Sequence, residues 1–104
     1  MSQEPGKKLD QGKSPLLQGC LAYFPKALLA VADVSAYGAK KYNVPYADKN
    51  WERVPDATAR YSDALARHIL AESFDGLVDP ESQLKHAAHA AWNALARLEL
   101  LLKS

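Results

Sequence analysis

The chain has 104 residues, 48% of them apolar, with 13 Lys and Arg against 12 Asp and Glu. That length carries one domain and not two, and that composition excludes wholesale disorder. Nearly balanced charge argues against a dedicated duplex-DNA binder, and Cys20, the single cysteine, excludes an internal disulfide or a thiolate metal cluster.

Residues 1–15 are polar, contain two prolines, and are rich in Gly, Lys and Gln. They read as a flexible basic arm in front of a single helical domain over 16–104. The basic charge extends further, since six lysines face only Asp10 and Asp33 between Gly6 and Lys41. Such a half can hold small polyanions such as nucleotide phosphates without the whole chain being basic. No secretory signal and no apolar run of about 18 residues is present, so the expected setting is a reducing cytoplasm away from the membrane.

The first helix opens at Phe24 or Pro25, with Leu28, Val31 and Ala32 at helical spacing, and frays near Lys41–Tyr42. Two prolines, Asn43 and Asn50-Trp51 mark a loop from Asn43 to Pro55. Asp56 is placed to cap a second helix over Ala57–Ser73, with Tyr61, Leu65, His68 and Ile69 on one face. Asp79-Pro80-Glu81-Ser82 reads as the start of a third helix of about 22 residues reaching Leu102, roughly 33 Å long. The expected fold is all-α: three main helices behind the arm, assembling as a helical homo-oligomer because three helices bury little alone.

Several groups of side chains have the means for chemistry. On a helix begun at Pro80, Ser82, His86, His89 and Asn93 fall at i, i+4, i+7 and i+11 and share a face lined mainly by alanines. Two imidazoles three residues apart can bind a divalent metal, polarise a phosphate or move protons near neutral pH; packed or exposed histidines have the same spacing. Asp79 and Glu81 are explained as a cap and a dipole-complementing acid, and equally as a carboxylate pair for Mg²⁺. His68 shares the apolar face of the second helix, as a core histidine would. Glu72 and Asp75 have E-x-x-D spacing. Lys40, Lys41, Asn50 and Trp51 combine cations, an amide and an aromatic that can clamp phosphates and stack a base.

In order along the chain, Lys8–Lys13 (K-x-D-x-G-K), Tyr37–Tyr42 (Y-G-A-K-K-Y), Asn50-Trp51, Arg60-Tyr61 through Arg67-His68, Asp79–Ser82 (D-P-E-S) and His86–Ala90 (H-x-x-H-A) form a series. That series resembles the small phage and bacterial dATP/dGTP diphosphohydrolase-like family, relatives of the all-α MazG-like pyrophosphohydrolases. The resemblance implies a nucleoside triphosphate pyrophosphohydrolase, cleaving a (deoxy)nucleotide to a monophosphate and pyrophosphate with Mg²⁺ or Mn²⁺. On that reading Asp79 and Glu81 hold metal, while His86, His89 and Glu81 serve catalysis. Lys8, Asp10, Lys13, Lys40, Lys41, Asn50, Trp51, Arg60, Arg67 and His68 bind the nucleotide. The chain departs from the MazG-like pattern in having no E-E-x-x-E segment, and its first long helix carries only Asp33. The alternative is a non-catalytic helical module of phage or bacterial origin that binds a nucleotide or a protein.

Overall fold

The computed structural model describes residues 4–104. Its architecture is all-α, with three long helices: α1 (Pro25–Tyr42), α2 (Ala57–Ala71) and α3 (His86–Lys103). A short π-helical turn, Leu17–Leu21, precedes α1, and two 3₁₀ turns, Tyr46–Asp48 and Asn50–Arg53, fill the α1–α2 connection. Among the described residues there is no strand, only an isolated antiparallel bridge between Val78 and Lys85. Residues 1–3 of the expected arm lie outside the described residues, while residues 4–17 are exposed throughout.

Helix α1 begins and ends for identifiable reasons. Pro25 stands in its first turn, where the missing N–H costs nothing. At the far end Asn43 turns left-handed, with φ 53°. Its N–H reaches the Lys40 carbonyl, and the Val44 N–H reaches Ala39 at 3.0 Å. This is the Schellman arrangement, and Lys40 and Lys41 complement the helix dipole just before it.

Helix α2 starts at Ala57 as expected, but without its expected cap, and the start of α3 differs from expectation. Asp56 is the residue before α2, but its backbone is left-handed and its side chain makes no capping bond. Asp79 does cap a turn: its Oδ2 accepts the Ser82 N–H at 3.0 Å, and its carbonyl accepts the Gln83 N–H at 2.8 Å. That turn does not propagate into a helix. Gln83 takes φ 63°, a left-handed conformation that breaks the helical path. The chain then bridges back, Asp79 N–H to Leu84 O at 2.8 Å and His86 N–H to Leu77 O at 2.9 Å. Helix α3 therefore starts at His86, not at Pro80, and α2 ends two residues before Ser73.

Helix α3 is the shared element, packed closely on α2 and more sparsely on α1. Trp92 donates from Nε1 to Ser35 Oγ at 2.9 Å to tie α3 to α1, and Arg97 donates from Nε to Ser62 Oγ at 2.8 Å to tie it to α2. The buried apolar residues are small: Val34, Ala71, Ala88, Ala90 and Ala96. Alanine lets helices approach closely but contributes little burial per residue. Alongside them are three buried polar residues, His86, His89 and Asn93. Half of the buried residues of α3 are thus polar, and they mark the candidate site.

Candidate functional site

An open cleft of about 1440 Å³ lies between the three helices and the Asn43–Pro55 connection. Its floor is a cluster of three imidazoles, His68 from α2 and His86 and His89 from α3. His68 Nδ1 and His86 Nδ1 are hydrogen-bonded at 2.9 Å. The His68 and His89 rings stack at 4.5 Å between centroids, only 8° from parallel. His68, expected on the apolar face of α2, is half-buried and belongs to this cluster.

The Asp79 turn supplies the next layer. Ser82 Oγ donates to Asp79 Oδ2 at 2.7 Å, lies 2.7 Å from His89 Nε2, and accepts the Leu84 N–H at 3.2 Å. A hydroxyl has one proton, and it is given to the carboxylate, so His89 Nε2 carries the proton of its contact with Ser82. The Ser82–His89–Asn93 alignment expected from one continuous helix therefore forms by another route, with the turn folding Ser82 back onto α3. Asn93 turns inward and donates to the His89 carbonyl at 2.8 Å.

Glu81 projects to the rim, where Lys41 Nζ approaches Oε1 at 2.7 Å and the Tyr37 hydroxyl donates to it at 2.9 Å. The Lys41 contact, then that of Tyr37, holds the Glu81 carboxyl below its ordinary pKa, and Glu81 in turn raises those of Tyr37 and Lys41. At Asp79, burial opposes the charge. The Ser82 hydroxyl and backbone N–H outweigh it, and the net shift is downward. Burial is the main cause that lowers the pKa of both His68 and His89, so these rings favour the neutral form.

Most of the residues expected at a site do meet here. Asp79, Glu81, His68, His86 and His89 line the cleft, and so do Lys41, Arg60, Arg67, Asn50 and Trp51. Trp51 packs edge-on to Trp92 at 6.2 Å and accepts the Tyr61 hydroxyl at its carbonyl, 2.7 Å away. It is a wall of the cleft anchored in an aromatic cluster. Lys40 is exposed and outside the cleft lining, and Lys8, Asp10 and Lys13 are exposed in the arm and likewise outside it. Tyr37 and Asp75 complete the site without having been singled out for it. Tyr37 stands within the Y-G-A-K-K-Y segment, one helical turn before Lys41. Asp75 had only its spacing from Glu72 to mark it.

Among the described residues no three His, Cys, Asp or Glu side chains gather where one ion could be held. No helix among them is long and apolar enough to cross a membrane. The site combines three imidazoles on its floor, Lys41 of α1 with Arg60 and Arg67 of α2 along its walls, the Asp79 carboxylate beside His89, and Glu81 at the rim.

No solved structure matches the chain. One relative, a dATP/dGTP diphosphohydrolase of Salmonella phage PMBT28, is 38% identical over 86 residues, which are 83% of this chain and 26% of that protein. The chain thus spans about a quarter of its relative's length. The family described as dATP/dGTP diphosphohydrolase, N-terminal, matches residues 3–104. With that match running from end to end over the segments that build the cleft, the chain belongs to the dATP/dGTP diphosphohydrolase N-terminal family.

Proposed function

We propose that the cleft binds a purine deoxynucleoside triphosphate and hydrolyses it to a monophosphate and pyrophosphate. The observation that carries this reading is the meeting of Arg60, Arg67 and Lys41 with three imidazoles on one cleft. Phosphoryl-transfer catalysis is mainly positioning and charge neutralisation, and fixed cations beside a proton acceptor supply both. Arg60 and Arg67 lie about two turns apart on one face of α2, and their planar guanidinium groups suit phosphate oxygens. Trp51 offers a flat surface for the base. The purine preference comes from the name of the phage relative.

The Mg²⁺ or Mn²⁺ that the family resemblance implies fits this donor set as an ion shared with substrate. Mg²⁺ is usually held by one or two carboxylates together with substrate phosphates, not by an all-protein cage. Asp79 and Glu81 would be the carboxylates to hold it, and when bound it would neutralise charge on the phosphate oxygens. With Glu81 so engaged, Lys41, its partner in the ion pair, would be free to meet the phosphates.

A panel of deoxynucleoside triphosphates with Mg²⁺ or Mn²⁺, followed by chromatography of the products, tests the proposal. Monophosphate and pyrophosphate from dATP and dGTP are expected. Absence of both turnover and binding at millimolar nucleotide would overturn it. Binding without turnover would select a nucleotide-holding module, a second reading favoured by the chain's match to only 26% of its relative.

A further inference from the structure

Three imidazoles share the floor of the cleft, and their hydrogen bonds determine which one can take a proton. His86 is 2% exposed. Its Nε2 is the one buried side-chain nitrogen or oxygen without a hydrogen-bond partner among the described residues. Asp75 Oδ2 lies 3.4 Å from that atom. A ring proton on His86 Nε2 would face the carboxylate favourably, whereas a lone pair there would face it with like polarity. The proton of neutral His86 therefore belongs on Nε2, and its Nδ1 is an acceptor.

That assignment fixes the neighbouring ring. The 2.9 Å contact between the two Nδ1 atoms requires one proton, and it must come from His68. His68 then has its proton on Nδ1 and a lone pair on Nε2. Among the described residues His68 Nε2 makes no hydrogen bond and is not one of the buried atoms without partners, so it is open to solvent, and His68 lines the cleft. His89 is engaged differently, with its Nε2–H bound to Ser82.

We propose that His68 is the catalytic base of this cleft, with Asp75 and His86 as positioning residues that hold its ring proton on Nδ1 and leave Nε2 free. The proposal rests on the nucleotide-hydrolysis reading. In the step, a water O–H gives its proton to His68 Nε2 and the oxygen forms a bond to phosphorus. The bond from phosphorus to the bridging oxygen breaks, and its electron pair departs with the diphosphate. The imidazolium so formed remains hydrogen-bonded through Nδ1–H to His86, whose far side faces the Asp75 carboxylate. It also lies against the face of the His89 ring. Burial, with Arg67 and the other two rings adding to it and Asp79 opposing, lowers the His68 pKa from 6.5. The free base therefore predominates at neutral pH.

The test reads protons directly. Long-range ¹H–¹⁵N correlation spectra at pH 7.5 distinguish Nδ1–H from Nε2–H rings, and this chain has only three histidines to assign. His68 as the Nδ1–H form and His86 as the Nε2–H form are expected; His68 as the Nε2–H form would overturn the proposal. Asp75→Lys, at an exposed position, reverses the charge facing His86. It should raise the fraction of His68 carrying Nε2–H and lower kcat for dATP roughly 10- to 100-fold with KM little changed. Unaltered ring protons in that variant, with circular dichroism intact, would remove Asp75 from the array. His68→Gln should lower kcat by about two to four powers of ten, and full activity there would also overturn the proposal. Ring protons are read without substrate. An inactive wild-type chain with the expected tautomers would therefore defeat the hydrolysis reading and not the array.

Discussion

Histidine is the side chain whose ordinary titration lies nearest neutrality, and all three histidines of this chain stand in one cluster. His68 and His89 are held below 6.5, chiefly by burial. The unfolded chain therefore binds more protons than the folded one just below that pH. Their contribution to stability is complete above the unfolded value and is lost as pH falls through 6.5 toward the depressed folded values. Glu81 and Asp79, held below 4.5 and 3.8, add a second loss at still lower pH. The expected urea midpoint is level above about pH 7 and declines in two stages on acidification. A midpoint constant from pH 7 to pH 5 would contradict the burial of these rings. Residue identity alone did not separate the histidines. His68 sits at an apolar helical spacing, and only its contact with His86 and His89 reveals that the face is polar.

The Asp79–Lys85 turn is the element on which the site depends. Its start signal, Asp79-Pro80-Glu81-Ser82, is the one expected of a long helix, and Asp79 does accept the Ser82 N–H. One left-handed residue, Gln83, halts the helix after that single turn. The consequence is functional, because a continuous helix would place Ser82 one turn below His86, whereas the turn folds it 2.7 Å from His89 Nε2. Ser82 Oγ serves Asp79, His89 and the Leu84 N–H at once. Ser82→Ala removes all three contacts and leaves a half-buried turn with unmet polar groups. A loss of about 1–3 kcal/mol in chemical denaturation is expected, with helical content unchanged. An effect below about 0.5 kcal/mol would show that solvent replaces the hydroxyl readily.

At the scale of the molecule, the apolar surface is poorly covered. Among the described residues the buried apolar side chains are one valine and four alanines, while Leu95, Leu98 and Leu101 of α3 are each about half exposed. Ile69, Leu70, Phe74 and Leu77 are more exposed still, at 56% to 71%. Each leucine or phenylalanine left in water forgoes roughly 1.5–3 kcal/mol of burial, and self-association would cover such residues. Light scattering should therefore give a mass of two chains or more, as the alanine-rich α3 also implies. A monomer mass independent of concentration would refute self-association as the means of covering this surface.

Local interactions explain what was legible in the sequence. The all-α class, the limits of α1, the span of α2 and the end of α3 follow from helical spacing, Pro25 and the caps, all of which act within a few residues. The family resemblance likewise rested on ordered segments, and all of them but Lys8–Lys13 contribute residues to the cleft. Three things were decided only in the tertiary structure: the start of α3, the placement of Ser82, and the order of proton sharing from Asp75 through His86 to His68. Gln83 has no sequence mark of a left-handed residue, and it is set there by the pairing of Leu77 and Asp79 with Leu84 and His86 across the turn. Asp75, 11 residues from His86, meets it only because α2 and the turn after it pack along α3. Contacts between residues on separate helices depend on how those helices pack, and no spacing along the chain encodes that packing.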